Sequence, residues 1–225
     1  MDAAASSQAA NPGPPTVDLQ RVAGAQGRFS DRIAGLDDAG VRRPSTLPGW
    51  TVAHLLTHVA RNADSHIRRA EAAALHQVID QYPGGFAGRT AEIDLGAGRT
   101  AAELVADVDE TARRLASTWA RLPDDAWGAV TRDVGGRERP LWALVARRWQ
   151  ELEVHLVDLD LGDTPRGWSD AFVATFLPRV RSSAPDRLAP GTALPAPGTL
   201  DERDELAWLY GRLDRPDLPA LAPWS

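Results

Sequence analysis

The sequence has no cysteine and no lysine. The first absence excludes disulfides, thiolate metal ligands and a cysteine nucleophile, so any sulfur chemistry must come from a bound small molecule. The second makes all 25 basic residues arginine. With so much Ala, Gly and Pro, this reads as the codon bias of a GC-rich genome, although arginine also suits carboxylate recognition where it lies in a pocket. No apolar run approaches the ~20 residues that span a bilayer. Residues 1–15, rich in Ala, Ser and Pro, lack the basic and apolar regions of a signal peptide. A cytoplasmic location with no membrane partner is the expectation. The net charge of −6 and the lack of an interleaved basic and aromatic stripe exclude a nucleic-acid partner.

The 225 residues, 43% hydrophobic and 25% charged, suffice for one full core with a smaller lobe. Residues 1–15 read as a flexible leader. Leu19, Val22, Phe29, Ile33 and Leu36 recur at helical spacing over 17–36. Thr51 is a plausible N-cap for a second helix reaching about residue 74, with Val52, Leu55, Leu56, Val59 and Ile67 on its inner side. Tyr82-Pro83-Gly84-Gly85 opens a long connection. Thr100-Ala101-Ala102-Glu103 matches a capping box for a third helix reaching about residue 122. Pro140 suits the first turn of a fourth, which Gly162 and Pro165 end. Four amphipathic helices with one long connection predict a mainly α protein, a four-helix bundle over 16–163. The lobe over 164–225 is predicted to hold one helix around Phe172, Val173, Phe176 and Leu177, a Pro-rich loop over 184–197, and a last helix over 200–212.

Glu151 and His155, in Glu151-Leu152-Glu153-Val154-His155, are four residues apart and share one helical face. A carboxylate and an imidazole so placed can chelate one divalent ion. They can equally form a solvated pair or a buried ion pair. They share a line with Leu141 and Leu144, which favours burial, where a carboxylate needs a partner or a metal. Glu153 falls on the opposite side and reads as solvated. Asp158, one turn beyond His155, is placed to accept from a ligand imidazole or to pair with an arginine. The second helix offers His54 and His58, and the neighbours Leu55 and Val59 favour His58 as the inward one. His66 and His76 read as surface histidines. Arg212, after Gly211, is either a cation at a helix C-terminus or a clamp for a substrate carboxylate. Arg89, in the central connection, poses the same question.

The segment Leu47-Pro48-Gly49-Trp50-Thr51-Val52-Ala53-His54-Leu55-Leu56-Thr57-His58-Val59-Ala60-Arg61-Asn62-Ala63 resembles a signature of the mycothiol-dependent maleylpyruvate isomerase family, within the DinB-like metal-binding bundles. Glu151-Leu152-Glu153-Val154-His155-Leu156-Val157-Asp158-Leu159 resembles its second signature. Trp208-Leu209-Tyr210-Gly211-Arg212 and Ala222-Pro223-Trp224 resemble its C-terminal ones. The resemblance implies zinc held by His58, Glu151 and His155, with Asp158 behind the ligands. It implies that Arg212 is needed for activity by holding a substrate carboxylate, with help from Arg89, and that His54 is not a ligand. It implies mycothiol or a related thiol as cofactor and a dicarboxylate-type substrate. The implied activity is the cis-to-trans isomerisation of maleylpyruvate to fumarylpyruvate, in the gentisate route of aromatic degradation, by thiolate addition, bond rotation and elimination. Alternatives on the same bundle are a zinc-dependent thiol S-transferase acting on another electrophile, and a non-catalytic metal-binding module. Family members end in a small α/β lobe. Here the Pro-rich stretch over 184–200 offers no convincing strand, so a reduced lobe is expected.

Overall fold

In the computed structural model, which describes residues 13–223, each long helix buries the apolar side that its periodicity marks. The chain divides at Leu159/Asp160 into two compact units. In the first, α1 (Thr16–Ile33) buries Val22, Ala25, Phe29 and Ile33. The short α2 (Asp38–Arg42) follows, and then α3 (Val52–Ala74). Next come α4 (Gly85–Gly96) and α5 (Ala101–Ala120), the latter burying Leu104, Val108, Leu115 and Trp119. A hairpin of β1 (Val130–Arg132) and β2 (Glu138–Pro140) leads into α6 (Ala143–Asp158). The four long helices form the bundle: α3 packs on α5 and α6, and α1 on α6 and α5. Thr51 caps α3, and Thr100 caps α5 in a reciprocal box with Glu103. Both caps satisfy amide groups that a helix start leaves open.

The structure departs from the sequence expectations at several points. The long connection contains a helix, α4. Its Phe86 and Leu95 are exposed, so its apolar residues form no stripe for periodicity to detect. Pro140 does not open a helix. It closes β2, paired with Val130, and α6 begins three residues later at Ala143. His66 is buried, not on the surface, and meets Trp119 of α5 edge-on at 5.9 Å. Glu153 is buried too. It forms an ion pair with Arg28 of α1 and accepts from Trp149 Nε1 at 2.9 Å. Both errors have one cause: α3 and α6 are each covered on more than one side, so the face opposite the core stripe is also interior. His76 is exposed. The expected leader over 1–15 lies, for residues 1–12, outside the described residues.

In the second unit, Ser169 caps α7 (Asp170–Ser183) and Asp201 caps α8 (Glu202–Leu209). The two helices pack together beside Trp168, Phe172, Phe176 and Tyr210, whose rings meet at 4.8–5.8 Å. The last helix is shorter than the predicted 200–212. Among the described residues this unit has no strand, only an isolated bridge between Leu188 and Leu221. Trp224 lies outside the described residues. No helix among the described residues is long and apolar enough to cross a membrane.

The entry into α4 is tightly built. Gly84 and Gly85 both have positive φ, +74° and +63°. A Cβ on Gly88 would lie 1.8 Å from the Pro83 carbonyl oxygen. Glycine to alanine inside a helix ordinarily stabilises by about 0.5–1 kcal/mol. Gly88→Ala should instead destabilise by about 1–3 kcal/mol, as overpacking does. Urea denaturation checks the sign, and a stabilised variant would contradict this packing.

Candidate metal centre

His58 comes from α3, and Glu151 and His155 come from successive turns of α6. The bundle brings all three to one point. Glu151 Oε2 lies 3.1 Å from His58 Nε2 and 3.1 Å from His155 Nε2. One ligand atom from each residue falls within 4.8 Å of the other two. The imidazoles meet edge-on, centroids 4.9 Å apart, and His58 also abuts the Trp50 ring at 5.6 Å. The His58 and His155 side chains are 5% and 9% exposed against 26% for Glu151, so the centre opens on its carboxylate side.

Behind the centre, Asp158 Oδ2 is 2.9 Å from His155 Nδ1. Asp158 is fully buried and itself held: the Thr46 hydroxyl donates to its Oδ1 and the Thr46 amide to its carbonyl, each at 3.0 Å. A carboxylate so fixed orients the ring and turns Nε2 toward an ion. On α4, Arg89 Nη2 stands 3.2 Å from His58 Nδ1, with its guanidinium 5.7 Å from the Trp50 ring centre. His54 stays outside the group. Its Nδ1 lies 2.8 Å from the Thr51 hydroxyl and completes the cap of α3.

The titration of the centre follows from its burial. Burial lowers the His58 pKa to about 4, with the Glu151 contact only partly opposing. Burial acts in the same sense on His155, but the bonds to Asp158 and Glu151 outweigh it and raise its pKa. Burial would raise the Glu151 carboxyl, yet hydrogen bonds from His155 and His58 hold it well below the usual carboxylate range. At neutral pH the centre therefore contains a carboxylate, a neutral His58 and a His155 biased toward its cation.

The bundle also holds two buried cations to which the sequence assigns no role. Arg148, one turn before Glu151, is fully buried and donates to Val59 O at 2.8 Å, Asn62 Oδ1 at 3.0 Å and Gln26 Oε1 at 3.1 Å. Arg69, also buried, donates to Ser65 O at 3.1 Å. Burial lowers each pKa to about 10, leaving both charged at neutral pH. The i, i+3 spacing of Arg148 and Glu151 was the available signal; nothing in the sequence marked Arg69. In the second unit Arg212 donates to the Tyr210 carbonyl at the end of α8. Burial and then the charge of Arg212 lower the pKa of Arg187, so the two guanidiniums are electrostatic neighbours.

Two imidazole nitrogens and one carboxylate oxygen suit a divalent ion such as zinc, and the Asp158–His155 contact is the support that such ligands usually have. The fold and the centre thus define a helical bundle with a two-histidine, one-carboxylate donor set. The chain belongs to the family of the mycothiol maleylpyruvate isomerase N-terminal domain, whose model matches residues 22–160. It is also similar to a crystal structure of the mycothiol-dependent maleylpyruvate isomerase, at TM-score 0.80 and 21% identity over 92% of each chain. A histidine-to-alanine mutant of that enzyme matches at TM-score 0.81, with the same identity and coverage. No curated protein matches.

Two measurements probe the centre. Asp158→Asn should weaken zinc affinity by about 10- to 100-fold, read by competition with a chromophoric chelator. An ion must also displace the proton of His155. Since this pKa is raised above 6.5, affinity should fall about tenfold per pH unit below the raised value and level off above it. An affinity unchanged between pH 5 and 8 would exclude His155 as a ligand.

Proposed function

We propose that this protein is a zinc- and thiol-dependent cis-trans isomerase that converts maleylpyruvate to fumarylpyruvate. The observation that carries this reading is the convergence of His58, Glu151 and His155 within a chain of the maleylpyruvate isomerase family. His58, Glu151 and His155 would hold the ion, and Asp158 would fix the His155 ring through Nδ1. Bound zinc would acidify a thiol, and mycothiol would supply the sulfur that a chain without cysteine lacks, whose reversible addition lets a double bond rotate.

The remaining work falls to cations. Arg89, beside His58, would receive a carboxylate brought to the centre. Arg212, to which the family resemblance gives a substrate carboxylate, would offer a guanidinium fork that matches a carboxylate in charge and shape. The buried charge of Arg148, one turn before Glu151, would favour an anion at the centre.

A second reading, thiol S-transfer to another electrophile, is kept open by one observation. The family match stops at residue 160, and the unit beyond it has no strand among the described residues. Product mass separates the two, since an isomer keeps the mass of its substrate and an adduct gains that of the thiol.

The test is an ultraviolet assay with maleylpyruvate on zinc-loaded protein, with and without mycothiol. Conversion should require the thiol, and His58→Ala should lose metal and activity together. Arg212→Ala should retain zinc but lower turnover by about 100-fold or more, the scale of losing a charged transition-state contact. Metal binding with no isomer formed at any thiol concentration would overturn the isomerase reading.

A further inference from the structure

We propose that Arg89 and a divalent cation compete for His58, so that metal loading releases the Arg89 guanidinium for an anionic ligand. This rests on the metal centre proposed above. A guanidinium only donates hydrogen bonds. At 3.2 Å from Arg89 Nη2, His58 Nδ1 must therefore present its lone pair. The hydrogen of the neutral ring then resides on Nε2, which faces Glu151 Oε2 at 3.1 Å. A carboxylate only accepts, so both contacts of the ring agree on one tautomer, the Nε2–H form.

That form cannot ligate through Nε2. An ion seated among His58, Glu151 and His155 needs the Nε2 lone pair, which moves the hydrogen to Nδ1. There it would point at the guanidinium, two donors opposed at hydrogen-bonding distance, and one partner must leave. His58 is fixed in the bundle at 5% exposure, whereas Arg89 is half-buried on α4, a helix entered through two positive-φ glycines. The Trp50 face, 5.7 Å away, offers the guanidinium a surface on which to settle. His155 is built the opposite way. Its Nδ1–H donates to Asp158, which directs Nε2 to the ion. His155 can therefore ligate once its Nε2 proton leaves, whereas His58 must also part from Arg89. By linkage, an anion that draws Arg89 away from His58 tightens metal binding in the same proportion.

The test uses the full chain, with zinc as the ion. Long-range proton–nitrogen NMR correlations assign the ring tautomers, and chelator competition gives zinc affinities of the wild type and Arg89→Met. The expected result is Nε2–H on His58 in metal-free wild type, Nδ1–H after zinc loading, and about tenfold tighter zinc in Arg89→Met, the scale of one lost hydrogen bond to a charged group. Nδ1–H already present in metal-free wild type overturns the proposal even if the variant binds more tightly, because loss of charge alone would do that. Equal or weaker binding by Arg89→Met also overturns it, and weaker binding is what a residue that merely orients His58 would give. Either result with normal zinc binding by wild type leaves the metal centre standing. Absence of saturable zinc binding in wild type overturns both.

Discussion

A carboxylate drawn into a helical bundle must find partners or stay protonated, and Glu151 finds two, one imidazole from α3 and one from its own helix. That single oxygen, 3.1 Å from both Nε2 atoms, fixes the register of α3 against α6 at the centre. Much of the surrounding polar structure serves the same contact. Asp158 braces His155, Thr46 braces Asp158, and Arg148 ties α6 to α3 through Val59 and Asn62. Remove the carboxylate and two buried imidazoles lose the acceptor that orients them. The Glu151 side chain is the most exposed of the donor set, so the residue that organises the interior also presents the centre to ligands.

α4 is a different kind of element. Its apolar residues are largely exposed, its start has no side-chain cap, and close backbone approach through Gly88 holds its first turn. What it contributes to the centre is Arg89. A rigid pair of helices therefore supplies the donor set, while a lightly held helix supplies a cation that touches one donor. The arrangement joins occupancy of the centre to the position of a charge, which suits a protein whose proposed substrate and cofactor are both anions when they react.

Most of the bundle was legible because helices with one clear apolar stripe announce it. The stripes of α1 and α5, the Thr51 cap of α3 and the Thr100–Glu103 box of α5 all appear where the sequence indicates. The Glu151–His155 pair was legible for the same reason, since i, i+4 spacing survives any packing. What escaped was whatever lacks a period. α4 has no stripe, the three-residue strands of the hairpin are too short for alternation, and Pro140 reads as a helix start until its pairing with Val130 is known. His66 and Glu153 were assigned to solvent because one-dimensional periodicity recognises one buried face, and α3 and α6 have more than one.

The sequence alone determined that any sulfur chemistry must be borrowed, that four long amphipathic helices would form, and that Glu151 and His155 would share a face. These follow from composition and local geometry, which a chain carries with it whatever it packs against. Only the tertiary structure brought His58, which its neighbours already favoured over His54, to their side, because that depends on how α3 meets α6. It also decided that Arg89 reaches His58 from 31 positions along the chain and that Arg148 is buried without a carboxylate partner among its hydrogen bonds. Contacts between distant segments depend on the packing of whole helices, and no local spacing encodes it.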